Sequence, residues 1–287
     1  MATMRQIRSR IRVAKNIQQI TKAMKMVAVA RLKRAQDRVQ AARPFAERMR
    51  EVVERLAGAV GDAAQHPLLE QRPVSTVGIL IVTADRGMCG GYNSAVIRLA
   101  VELATQQEGR DVRLYVIGRK GNAFFRRRGY AVVASPAINA NALSHGEAVE
   151  LARDMTARFE QGEFDELQVV FTEFVTAITQ RPRAVKLLPI EPVAGEEGGT
   201  PEETIFEPGP RELLGVMLPR YLTTQIYQAL LESFASEHGA RMTSMSSATD
   251  NAGKMISGLT LTLNRARQAA ITKEISEIVG GAEALKG

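Results

Sequence analysis

The stretch of this 287-residue chain best equipped for chemistry is a glycine-rich turn, Asp85-Arg86-Gly87-Met88-Cys89-Gly90-Gly91-Tyr92-Asn93. It follows an apolar run at 77–83 and precedes a helical stretch at 94–106, and such a strand–turn–helix can cradle a phosphate on backbone N–H groups. The details favour a plain tight turn. No G-x-G-x-x-G occurs, and where a P-loop needs Lys and then Ser or Thr the chain has Tyr92-Asn93. Gly118-Arg119-Lys120-Gly121 also falls short of that motif. In a tight turn, Asp85 and Arg86 pair locally or meet a neighbour. A nucleotide-dependent enzyme using Gly87 to Gly91 remains an open reading, and it requires saturable ATP binding. His66, His145 and His238 stand apart without metal-ligand spacing, and no G-x-S-x-G elbow or paired-carboxylate motif appears. Each histidine reads as a surface or helix-end residue. The expectation is therefore no catalytic residue, no cofactor and no metal. The single Cys89 excludes an internal disulfide and fits a reducing compartment.

The elements that must position this turn alternate. Strands are predicted at 77–83, 112–118, 131–134 and 167–174, helices at 94–106, 120–128 and 146–160, and an edge strand at 185–190. That order implies a mostly parallel, doubly wound α/β domain over 74–192. Residues 193–210, rich in Gly, Glu and Pro, form a linker whose last proline suits a helix first turn.

The two ends have a different texture. Thr3 with Gln6 fits a capping box, and Ile7, Ile11, Ala14, Ile17, Thr21, Met24, Ala28, Leu32, Ala35, Val39 and Ala42 form one stripe of a helix over 1–60, bent at Pro44. Over 211–285 a second stripe runs Met245, Ala248, Ala252, Met255, Leu259, Thr262, Ala266 and Ala269. A helix of that length reaches on the order of 100 Å, too long to be covered by its own globule. An antiparallel coiled coil of the two terminal helices, with the middle of the chain as its base, is the economical arrangement. The alternative is that each helix packs separately on the middle domain. Met24, Met26, Met242, Met245 and Met255 read as adaptable seam packing.

Charge is uneven. Residues 1–50 carry 14 basic side chains against Asp37 and Glu47, a balance of +12 that leaves the remaining chain at −5. Such an arm attracts phosphates or an acidic protein surface, or is a solvated face. A coiled-coil nucleic-acid-binding protein is the runner-up reading, and a steep salt dependence of duplex binding discriminates it. The N-terminus lacks the apolar core of a secretory signal, and no stretch is apolar enough to span a membrane.

Ile20-Thr-Lys-Ala-Met-Lys-Met-Val-Ala28, Asp85-Arg-Gly-Met-Cys-Gly-Gly91, Ala248-Thr-Asp-Asn-Ala252 and Ile271-Thr-Lys-Glu-Ile-Ser-Glu-Ile-Val-Gly-Gly-Ala-Glu-Ala284 occur in order along the whole chain. Together they resemble the gamma subunit of F-type ATP synthases. The length resembles the bacterial form, and the single cysteine departs from the chloroplast form with its regulatory dithiol insertion. The resemblance implies a rotor shaft without a catalytic site of its own. Its terminal helices would enter the hexamer of alpha and beta subunits, and its Rossmann-like domain would stand with epsilon on the c-subunit ring. Membrane association would come only through the complex, at the cytoplasmic face of a bacterial membrane. The family's beta-subunit contacts fall on Met24, Lys25, Arg267, Gln268 and Thr272, a coupling position on Arg241, and the foot that meets the c ring on Glu207. Lys25 stands where some members carry an acidic residue.

Overall fold

Apolar runs without alternation mark strands buried on both faces, and β1 (Thr76–Val82) is one: residues 77–82 are all buried. The computed structural model describes residues 3–60, 66–107, 109–140, 142–191, 207 and 209–284. Two units divide it, Ala28–Arg241 and the pair of segments Met1–Val27 and Met242–Gly287. Helices α1 (Met4–Val60) and α5 (Pro210–Ala284) contribute residues to both. The fold is α/β, a Rossmann-like sheet together with a long antiparallel pair of terminal helices.

The unit Ala28–Arg241 holds a five-stranded sheet of order β3-β2-β1-β4-β5. Its strands are β1, β2 (Asp111–Ile117), β3 (Val132–Ala134), β4 (Glu166–Phe174) and β5 (Gln180–Leu188). β1 to β4 run parallel, and β5 returns antiparallel to β4. The order reverses beside β1, so right-handed crossovers place α2 (Tyr92–Thr105) and α3 (Arg119–Arg127) on one face and α4 (His145–Glu160) on the other. Val96, Ala100 and Phe125 pack with Val77, Ile79, Ile81, Leu114 and Val116 on the first face. On the second, the Phe159 and Phe164 rings lie 6.0 Å apart and Phe164 meets Tyr115 edge-on at 5.8 Å. The edge strand begins five residues before the expected 185. Gln180 to Lys186 lack apolar alternation, and Pro182 is tolerated because an edge strand leaves one side of its ladder unpaired.

In the other unit, Lys25 Nζ donates to Ser246 Oγ at 3.0 Å and Thr249 Oγ1 donates to Thr21 Oγ1 at 2.9 Å. A Cβ on Gly253 would lie 3.1 Å from Gln18 Nε2. As the α1 number falls from 25 to 18 the α5 number rises from 246 to 253, so the helices are antiparallel. The capping box is present, with Thr3 N donating to Gln6 Oε1 at 2.9 Å and Gln6 N to Thr3 Oγ1 at 3.3 Å. Ile7, Ala14, Thr21, Met245, Ala252 and Leu263 are buried in the seam. Four stripe positions are corrected: Thr262 and Ala269 are exposed, with Leu263 buried beside the first, and two more differ in the same way. Ile17 is 48% exposed and Met255 60% exposed, and their places are taken by the half-buried Gln18 and Ile256. The seam steps by four where a step of three was expected, and small residues on either side left that choice open. Met26, 62% exposed, is likewise outside the seam.

Candidate coupling surfaces

The side chains expected to touch a beta subunit occupy two places on the terminal-helix pair. Met24 and Lys25 are half-buried on α1, with Lys25 held by Ser246. Arg267, Gln268 and Thr272 are exposed on α5. The register that opposes 25 to 246 puts Arg267 21 residues further along α5, about 30 Å from the first patch. Every residue from 271 to 280 is exposed, among them Ile271, Ile275, Ile278 and Val279 at 49–71%. Four large apolar side chains on one stripe of a bare helix end mark a surface for a partner. Glu207 is exposed, and the rest of the expected linker falls mostly outside the described residues.

Arg241 belongs to the other unit, where α5 changes character. Every residue from 229 to 239 is buried, three turns with no solvent face, and five of them are polar: Glu232, Ser233, Ser236, Glu237 and His238. Their partners follow from the sheet. β1 pairs with β4 only as far as Val170, so Thr172 and Phe174 extend past the end of β1 with unpaired backbone groups on that side. The helix satisfies them. Thr172 N donates to Ser233 Oγ at 3.1 Å, Ser236 Oγ donates to Thr172 O at 3.2 Å, and Phe174 N donates to Glu232 Oε2 at 3.3 Å. One turn later the Arg241 guanidinium pairs with Glu237 at 2.7 Å and reaches Arg86 O at 3.5 Å and Gly87 O at 3.4 Å. Gly239 permits the closest approach, since a Cβ there would meet Ala177 O at 2.9 Å.

The glycine turn is thereby accounted for. Asn93 Oδ1 accepts from Ala84 N at 2.9 Å and Asn93 Nδ2 donates to Cys89 Sγ at 3.3 Å, while Met88 and Gly90 take positive φ of 61° and 57°. Asp85 accepts from Arg119 N at 3.0 Å. The second glycine pair has its own structural reason: Thr83 Oγ1 donates to Ile117 O at 2.8 Å and accepts from Gly121 N at 3.0 Å, so no Cβ fits at Gly118 or Gly121. Burial raises the Cys89 thiol and the Tyr92 phenol and lifts Glu237 above the ordinary carboxylate range. His238 is corrected from a surface or helix-end residue to a buried one. Desolvation, with Arg241 and Arg31 adding positive charge nearby, lowers its pKa to about 4. The helix-end reading fits the other two histidines. His66 caps the turn Pro67–Leu69 and His145 opens α4. Among the described residues no cluster of His, Cys, Asp or Glu could hold a metal ion, and no helix is long and apolar enough to cross a membrane.

A family model described as ATP synthase matches residues 3–285. The chain is 51% identical over 289 residues to the ATP synthase gamma chain of Desulforamulus reducens, covering 100% of both. It belongs to the ATP synthase gamma-chain family. The gamma chain of Desulfitobacterium hafniense is also 51% identical, over 286 residues and 100% of both chains. Among solved structures, the chain is similar to one in the central stalk and c-ring of Tetrahymena thermophila mitochondrial ATP synthase, at 26% identity and TM-score 0.61, covering 80% of this chain and 99% of that one. A chain of the Euglena gracilis mitochondrial enzyme shares the fold at TM-score 0.69 and 17% identity, over 98% and 94% of the two chains. The nucleic-acid reading of the basic arm finds no support among these relatives.

Sequence reasoning singled out Arg241 through the family resemblance and missed the polar side chains that precede it. The available signal was the polar stripe Glu232, Ser233, Ser236, Glu237 and Arg241, at steps of three and four within 229–241, which ends in the i,i+4 pair Glu237–Arg241.

Proposed function

We propose that the chain is the central rotor shaft of an F1Fo ATP synthase, coupling proton flow through a c-subunit ring to ATP synthesis and hydrolysis in a hexamer of alpha and beta subunits. The observation that carries this reading is the antiparallel helix pair, whose α5 end continues past α1 as a bare helix with Ile271, Ile275 and Ile278 outward. A stiff, asymmetric rod presents different faces to three equivalent sites as it turns. Each face has its own differential affinity for open and closed sites, so rotation shifts their populations in sequence without any catalytic group on the rod. Small seam side chains let the two helices approach closely, and the +12 arm of residues 1–50 suits acidic loops around it.

In this reading Met24, Lys25, Arg267, Gln268 and Thr272 meet the beta subunits, and Arg241 carries coupling. Glu207 belongs to the foot on the c ring, beside epsilon. The functional divisions are the helices 1–60 and 211–285, the sheet domain 74–192 and the linker 193–210. The chain works at the cytoplasmic face of a bacterial membrane, attached only through its complex. Affinity purification of the full chain from its native cells should recover three alpha and three beta copies per chain, and recovery without them overturns the assignment. Replacing Arg267 and Gln268 together by Ala should leave assembly intact and lower ATP-driven proton pumping in reconstituted vesicles. Parental pumping removes those two residues from the coupling surface.

A further inference from the structure

We infer that residues 229–241 of α5 form a torque collar, in which Ser233, Ser236, Glu232 and the Glu237–Arg241 pair fix the rotational register of the helix against the sheet. The inference rests on the shaft function proposed above. A shaft helix seated in a globular base must not turn about its own axis when twisted. Apolar contact resists such turning weakly, because the hydrophobic effect is non-directional and side chains can repack. Hydrogen bonds to fixed backbone groups resist it strongly, since they weaken steeply as their angles depart from linear.

The arrangement has the required geometry. Ser233 and Ser236 lie on one face, three residues apart, and hold both the N–H and the C=O of the same residue, Thr172. Glu232 takes the next free N–H on the strand, Phe174, and is itself met by Gln228 Nε2 at 3.1 Å and by Arg43 at 3.9 Å. Arg241 ties the following turn to two carbonyls of the β1–α2 loop. Gly239, packed against Ala177 O, closes the side toward the β4–β5 turn. Rotating α5 by one residue would break the bonds to Thr172 and Phe174 together and leave buried N–H groups without partners. That is a steep penalty that a shaft under load can use.

The test uses the whole ATP synthase carrying Ser233→Ala and Ser236→Ala, purified and reconstituted in vesicles, with Ser233→Thr/Ser236→Thr as the hydroxyl-retaining companion. Expected are ATP hydrolysis per assembled complex within twofold of the parent and a drop of threefold or more in protons pumped per ATP against an opposing gradient. The companion should recover most of that loss. A merely structural role would lower the yield of complex and its melting temperature while each assembled complex pumped at the parental ratio, and that result overturns the collar. If the double variant does not assemble, Ser236→Ala alone, which leaves Ser233 paired with Thr172, is read by the same criterion. A parental complex that lacks this chain, or that couples equally well without it, sinks the shaft function itself. Parental coupling in the variant sinks only the collar.

Discussion

Gly239 and Gly258 lie on the same helix, and replacing each by Ala should have opposite effects on stability. Alanine in a helix interior is favoured over glycine by about 0.8–1.0 kcal/mol, and this gain applies to both. At Gly258 nothing lies within 4 Å of the new methyl group, so the gain stands alone. At Gly239 the methyl carbon would lie 2.9 Å from Ala177 O and 3.1 Å from Gln180 Nε2. The nearer obstacle is backbone, in a turn held by Gln180 Nε2 donating to Ala177 O at 3.0 Å, so relief requires moving the β4–β5 hairpin away from α5. Overpacking of this kind costs about 2–3 kcal/mol, leaving a net loss of about 1–2 kcal/mol after the propensity gain. The two variants should therefore differ by about 2–3 kcal/mol, on the order of 5–10 °C in Tm for a chain of this size. Thermal and urea unfolding of the purified full chain, followed by circular dichroism, measures both. A Gly239→Ala chain as stable as Gly258→Ala would refute the close approach of α5 to the hairpin turn.

Gly118→Ala should be far more damaging, because Gly118 holds φ of +93° and its Cβ would sit 2.1 Å from Thr83 O. Strain at positive φ of about 1–3 kcal/mol adds to loss of the Thr83 hydrogen bonds, and recovery of soluble chain should fall severalfold in expression assays. His238, with its folded pKa lowered to about 4 from 6.5, stays neutral through the range where the unfolded imidazole ionises. Protons therefore bind the unfolded chain more tightly. The stability present above about pH 6.5 is lost as pH falls toward 4, by up to about 3 kcal/mol for this group, offset in part where Glu237 takes up a proton. Its ring resonances should hold their neutral positions down to about pH 5, and titration near 6.5 would contradict the burial.

The parts of the fold legible in the sequence were those whose burial leaves a periodic trace. Val77 to Val82 are buried on both faces and read as a continuous apolar run, and the terminal seam reads as alternating steps of three and four. The errors at Ile17 and Met255 arose where Ala, Thr and Gln share the seam with larger residues, so hydrophobicity alone does not choose between neighbouring steps. β5 was foreshortened because half of it, Gln180 to Pro182 with Arg183 and Lys186, is an edge with charged and proline positions. Such a strand is defined by its partner β4 rather than by its own pattern.

Residues 229–239 were illegible for a stronger reason. Their polar stripe, Glu232, Ser233, Ser236 and Glu237, has the spacing of a solvent face although every one of them is buried, and the partners of three of them are backbone groups of a strand 58–64 residues away. Those backbone groups need partners only because the pairing with β1 stops at Val170, two residues before Thr172, a fact of the assembled sheet. Polar side chains in such a place are not required for stability. An apolar collar of the same volume, with β1 extended by one or two residues to complete the ladder, would satisfy the strand equally well and avoid dehydrating two carboxylates. What hydrogen bonds provide and apolar packing does not is a single angular setting of the helix. The collar is where a helix that must transmit twist meets the body that twists it, and its polar chemistry follows from that requirement.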